Sequence, residues 1–148
     1  MQQLSFPAYD FRFKSRENTI YIFDIVRKKF VVLQPEEWVR QHVVHHLILE
    51  KLFPKSLISV ERQLIINGIK KRYDIVVYKR DGGIHILVEC KAPEIRITQQ
   101  TFDQIARYNM ELRADYLMVT NGMSHFYCKM DFTGQKYHFL EHIPDFSR

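Results

Sequence analysis

The sequence predicts an α/β fold, with a mixed central β-sheet flanked by α-helices and preceded by a small β-meander. Three observations lead to it. Two apolar segments, Arg72-Tyr73-Asp74-Ile75-Val76-Val77-Tyr78 and Ile84-His85-Ile86-Leu87-Val88-Glu89-Cys90-Lys91, lie on either side of Asp81-Gly82, a dipeptide suited to a hairpin turn. Apolar residues at helical spacing precede them as Val39, Val43 and Leu47, and follow them as Phe102, Ile105, Ala106, Asn109 and Leu112. After the second helical stripe a short apolar run, residues 116–120, returns through a crossover and so lies parallel to the 84–91 strand.

Taken in order, residues 20–24 and 29–33 read as short strands around the basic turn Arg27-Lys28-Lys29. A helix begins at Pro35, because proline suits the first helical turn, Glu36 and Glu37 suit the positive end of the dipole, and the Val39 stripe follows. It ends before Pro54. Residues 57–66 read as a strand, Asn67-Gly68 as a turn, and 70–78 with 84–91 as a hairpin. The second helix covers 98–113 and the parallel strand 116–120; Asn121-Gly122 then turns the chain into 124–129, and 136–140 forms the last strand. There is no internal repeat, low-complexity stretch or long linker. A chain of 148 residues buries roughly 70% of its unfolded surface, enough for one core, so a single domain is expected: a β extension over 1–33 and a core over 34–148.

The hairpin carries the chemistry. A two-residue loop at Asp81-Gly82 pairs Arg80 with Gly83, and counting outward along antiparallel strands sets Asp74 opposite Glu89. Side chains repeat with period two, so Lys91 shares their face. Carboxylates at a cross-strand spacing of about 5 Å repel by about 3 kcal/mol at an effective dielectric of about 20, so a fold keeps them together only with a compensating cation. A divalent metal is the natural candidate, and a salt bridge closing the end of the sheet is the structural alternative.

Charge and composition narrow the partner. The formal net charge is +5 and the pI about 9.2, which suits a polyanion without demanding one. Lys70-Lys71-Arg72 runs directly into Asp74 and reads as a phosphate-contacting cluster, with a solvated turn as the plainer reading. The two cysteines, Cys90 and Cys128, are too few and too poorly spaced for a disulfide framework or a zinc site, and read as reduced thiols of a cytoplasmic protein. His42, His45 and His46 share a helix but form no H-E-x-x-H pattern, so zinc is not expected there. Residues 1–7 lack a basic-then-apolar signal pattern and no apolar run approaches the roughly 18 residues of a membrane span, so neither secretion nor membrane insertion is expected.

Asp74 followed by the triplet Glu89-Cys90-Lys91, with the fourteen residues 75–88 between them, resembles the PD-(D/E)XK nuclease superfamily. The order of Pro35-Glu36-Glu37-Trp38-Val39-Arg40-Gln41, Glu61, Arg72-Tyr73-Asp74 and Val88-Glu89-Cys90-Lys91-Ala92-Pro93 is similar to that in the N-terminal domain of type I restriction enzyme R subunits. Gln104-Ile105-Ala106-Arg107-Tyr108 matches the Q-x-x-x-Y helix of RecB-type and resolvase-type relatives. The resemblance spans residues 33–122. Tyr73 stands where the superfamily's name has Pro, and Gln34 where relatives often carry a capping Thr; neither departure removes a catalytic group.

The resemblance implies a restriction-endonuclease-like core and a nuclease that uses Mg²⁺ or Mn²⁺ to hydrolyse DNA phosphodiester bonds. It implies Asp74 and Glu89 as metal ligands, joined by the Cys90 carbonyl, and Lys91 as the group that serves the attacking water and the developing phosphorane charge. By analogy with the family's acidic helix residue, Glu37 rather than Glu36 faces the site, although the helix dipole alone explains both. Gln104 and Tyr108, one helical turn apart, hold the lysine or a phosphate oxygen, or else are a polar edge and a core residue. Lys70, Lys71 and Arg72 contact nucleic acid. The implied partners are DNA and other restriction or repair subunits, with self-association left open. A non-catalytic nucleic-acid-binding or assembly module of the same fold is the other reading. No G-x-x-x-x-G-K-[ST] loop occurs, so any ATP-driven translocation belongs to another chain.

Overall fold

The computed structural model describes residues 1–147. Among them, β1 (Phe13–Arg16), β2 (Thr19–Asp24) and β3 (Lys29–Val32) form an antiparallel meander, and a six-stranded mixed sheet follows. The sheet comprises β4 (Ile58–Ile66), β5 (Ile69–Tyr78), β6 (Ile84–Cys90), β7 (Tyr116–Thr120), β8 (His125–Asp131) and β9 (Lys136–Leu140), in that spatial order. Only β6 and β7 run parallel, joined through α2 (Gln99–Asn109) as the crossover requires. The sheet does not close into a barrel.

α1 (Pro35–His45) continues into one π-helical stretch, His46–Glu50, and stops short of Pro54. Its Val39, Val43, Val44 and Leu47 are fully buried against Ile75, Val77, Ile86 and Val88. α2 starts where the Thr98 hydroxyl accepts the Thr101 N–H, and it packs Phe102 and Ala106 against Val76, Leu87, Leu117 and Val119. The two helices therefore cover opposite faces of the central strands, which explains the nearly continuous apolar runs of β5 and β6. Among the described residues no helix is long and apolar enough to cross a membrane.

Two features differ from expectation. The segment before residue 19 supplies a third meander strand, β1, whose side chains are all exposed and so leave no alternation to read. The β5–β6 loop has three residues, Arg80-Asp81-Gly82, since Lys79 N donates to the Gly83 carbonyl at 2.7 Å and Gly82 takes φ +92°. The register shifts by one residue between Val77 and Tyr78, which compensates for the longer loop. Val77 pairs with Ile86 and Ile75 with Val88, so the same register carried one step further sets Asp74 against Glu89. Loop and bulge cancel, and the expected juxtaposition stands.

Candidate functional site

The pleat changes sense at Asp74. Tyr73 packs into the core beneath α2, whereas Ile75, two residues on, packs beneath α1. Opposite on β4, Glu61 has φ +53°, a left-handed conformation rare for a side chain of this size, between the regular pairs Val60↔Ile75 and Arg62↔Tyr73. This distortion lets one carboxylate reach two elements. Asp74 Oδ1 accepts from Arg40 Nη2 of α1 at 2.8 Å, and Oδ2 accepts from the Cys90 backbone N–H of β6 at 2.8 Å.

Glu89 is differently placed. Its side chain is as buried as that of Asp74, both 13% exposed, yet Oε1 has no hydrogen-bond partner and lies 3.7 Å from Lys71 Nζ. Burial, and then the Asp74 carboxylate, push the Glu89 carboxyl above its ordinary value, while Lys71 and Lys91 pull it down. Glu36, half-exposed on α1, is raised by partial burial and then by Asp74, and lowered by Arg40 and Lys91. Lys91 lies one residue beyond β6, where its backbone N–H donates to the Thr120 carbonyl at 2.8 Å. It forms no ion pair among the described residues. Glu36, Asp74, Glu89 and Lys91 thus act on one another electrostatically where the end of β6 meets the middle of β5.

The family model described as the type I restriction enzyme R protein N terminus (HSDR_N) matches residues 35–144. The chain belongs to this family. The matched span opens on the first residue of α1 and runs past β9, so it contains every residue of this site and leaves the meander outside. Membership in the R-protein N-terminal family supports a restriction-related role. A search of curated proteins found no match.

Not every residue expected at the site is brought to it. Glu37 is turned away: its carboxylate accepts from Arg27 Nη2 at 3.0 and 3.1 Å, Arg40 Nη1 at 2.6 Å and Gln41 Nε2 at 3.1 Å. Its neighbour Glu36 faces Asp74 instead, because residues one apart on a helix point about 100° apart. Tyr108 is connected to the site through Lys71, whose Nζ lies 3.9 Å from the Tyr108 ring centroid. Gln104, one turn earlier, is exposed and makes no hydrogen bond among the described residues. Of the basic cluster, Lys71 points inward to Glu89 while Lys70 and Arg72 are exposed. The Cys90 thiol is buried and its pKa is pushed well up, so it offers no thiolate ligand.

Arg40 is the residue that sequence reading passed over. Buried beneath α1, it touches Glu36, Glu37, Glu61 and Asp74, and so supplies a cation to Asp74 but not to the facing Glu89. Its place next to Val39 on the buried face was the available signal. Arg27, expected in a basic turn, is likewise drawn inward to Asp24 and Glu37, which ties the meander to α1. His42 and His45 donate from Nδ1 to the Trp38 and Gln41 carbonyls, and burial lowers both pKa values, as it does for His46; they stack among Phe6, Tyr9 and Phe11.

Proposed function

We propose that this domain is a metal-dependent nuclease of the PD-(D/E)XK type that hydrolyses DNA phosphodiester bonds in a restriction or repair setting. The observation that carries the reading is Glu89 Oε1: a buried carboxylate oxygen with no hydrogen bond, met only by Lys71 Nζ at 3.7 Å, beside a second carboxylate and near Lys91, which forms no ion pair among the described residues. A fold that needed only the Lys71 salt bridge there would close it to hydrogen-bond distance.

The residues fit Mg²⁺ or Mn²⁺. Among the described residues no three His, Cys, Asp or Glu side chains form a ready metal cage. Mg²⁺ does not ask for one, since it is commonly held by one or two carboxylates together with waters and substrate phosphate. Asp74 and Glu89 would hold it with the Cys90 carbonyl, and Glu36 would approach from α1 in the part first given to Glu37. When bound, the metal supplies Lewis acidity and charge neutralisation at the phosphate. Lys91 orients the attacking water and donates to the charge that develops on the phosphoryl oxygens. Arg40 holds Asp74 in place, and Tyr108 holds Lys71 against Glu89. Lys70 and Arg72 offer positive charge to the DNA backbone.

The second reading, a non-catalytic binding or assembly module, has one observation in its favour: Arg40 and the Cys90 N–H already occupy both Asp74 oxygens. Cleavage assays separate the two. Purified protein with Mg²⁺ or Mn²⁺ is tested on linear, supercoiled, single-stranded and branched DNA, and the nuclease reading expects cleavage that chelator abolishes. Lys91→Ala should slow it by about 100-fold or more, a loss of about 2.7 kcal/mol in transition-state stabilisation, with DNA binding retained. No cleavage of any form by the wild type, or an unaltered rate in Lys91→Ala, supports the module.

A further inference from the structure

We propose that the outer face of the β4–β5 ribbon is the seat of double-stranded DNA, entering the major groove beside Glu61 and Asp74. Beyond Glu61 and Asp74 the strands continue as a two-stranded ribbon, paired Gln63↔Arg72, Leu64↔Lys71 and Ile65↔Lys70, and closed by Asn67 and Gly68, both at positive φ. Alternation gives this ribbon two faces. The inner one is covered along its middle, where Leu64 and Tyr73 join the core beneath α2 and Lys71 lies over the Tyr108 ring, with Arg62 and Ile69 exposed at its ends. At the tip Asn67 Nδ2 donates to Glu111 Oε2 at 2.5 Å, which fixes the ribbon to the segment after α2. The outer face, Gln63, Ile65, Lys70 and Arg72, is exposed throughout, Ile65 at 67%. It carries two cations, and among the described residues the one carboxylate that approaches them is Glu61, 4.0 Å from Arg72 Nη1.

A rigid, cationic face suits a polyanion, and three of its properties favour duplex DNA. A two-stranded ribbon fits the width of the major groove, about 12 Å. Gln63 and Arg72, a direct cross-strand pair, present forked polar groups that can meet base edges, and Ile65 offers an apolar surface to a thymine methyl. The outer face has no aromatic side chain on which the bases of a single strand would stack. Glu61 and Arg72 sit where this face meets the Asp74 carboxylate, so a duplex seated on the ribbon passes the site.

The choice of DNA rests on the nuclease reading, but the test does not use cleavage. Binding is measured without divalent metal on a short duplex, on the same duplex with glucosylated 5-hydroxymethylcytosines filling the major groove, and on the single strand. Wild type should bind the plain duplex at least tenfold more tightly than either alternative. K70Q/R72Q, altered only at exposed side chains, should weaken plain-duplex binding at least tenfold. It should also make the slope of log K against log salt shallower by about 1.8, two phosphate contacts at about 0.9 each. Equal affinity for plain and modified duplex, a preference for the single strand, or an unchanged slope would overturn the proposal. Duplex binding with these properties in a protein that cleaves nothing would refute the nuclease reading and leave the ribbon's role standing.

Discussion

Glu36 and Glu37 are neighbours on α1 and belong to two carboxylate clusters of opposite character. In the first, Asp24 and Glu37 are answered on every side: Asp24 accepts from the Val26 and Arg27 backbone N–H groups, from Arg27 Nε and from Gln41 Nε2, and Glu37 accepts from Arg27, Arg40 and Gln41. Although burial opposes it, the hydrogen bonds from Arg27 and Gln41 hold the Asp24 carboxyl below its ordinary value. In the second cluster, Glu36 and Glu89 are raised above theirs, and one Glu89 oxygen is buried without a hydrogen bond. Both clusters hold buried carboxylates beside arginine, though Glu36 itself stays half-exposed. The difference teaches that a closed set of hydrogen bonds holds the meander to the core, whereas an open one is left with capacity for something else.

Removing a partner from the closed cluster should cost most. Arg27→Ala strands Asp24 and Glu37 below the surface, and breaking a buried pair in this way costs about 3–5 kcal/mol. Urea denaturation measures it; a loss under about 1 kcal/mol would erase the contrast between the clusters.

The adjacent glutamates sharpen the comparison. Glu37→Gln loses charge-assisted hydrogen bonds and should destabilise by about 2 kcal/mol. Glu36→Gln relieves repulsion from Asp74 and should stay within about 0.5 kcal/mol of wild type, as exposed substitutions do. If Glu36→Gln proves the more damaging, the two residues have been assigned to the wrong clusters.

The smallest effect is in pH. A carboxyl raised in the folded state binds protons that the unfolded chain has released, so its contribution is complete below the ordinary glutamate value of 4.5 and is lost as pH rises through the folded-state value. Glu89→Gln should therefore lessen the fall in stability above pH 4.5. The buried histidines run the other way: with His42 and His45 lowered from 6.5, stability falls as pH drops below that value in both proteins. Matching pH profiles for wild type and Glu89→Gln above 4.5 would show that Glu89 is not strained as described.

The fold was legible because its signals are local. The Val39-Val43-Leu47 stripe, the 67–68 turn and the apolar runs of β5 and β6 each fix an element with no knowledge of its neighbours. β1 has no such signal, and the β5–β6 loop length was misread although the facing of Asp74 and Glu89 was not, since bulge and loop cancel. The site was legible only in part. Strand register can be counted from sequence, but the direction in which a helix presents Glu36 or Glu37 depends on how α1 lies on the sheet. Likewise Arg27 reads as part of a basic turn and Arg40 draws no notice, because the carboxylates that draw them inward come from Asp24, Glu37, Glu61 and Asp74, scattered along the chain. Long-range ion pairing leaves no periodic trace.

The central claim is that the open cluster takes a divalent cation and the closed one does not, and Mn²⁺ titration by calorimetry tests it directly. Asp74→Asn and Glu89→Gln should each weaken binding at least tenfold, about 1.4 kcal/mol, while keeping the fold, and Glu37→Gln should bind as wild type does. Equal Mn²⁺ affinity across wild type, Asp74→Asn and Glu89→Gln, or a loss confined to Glu37→Gln, would contradict it.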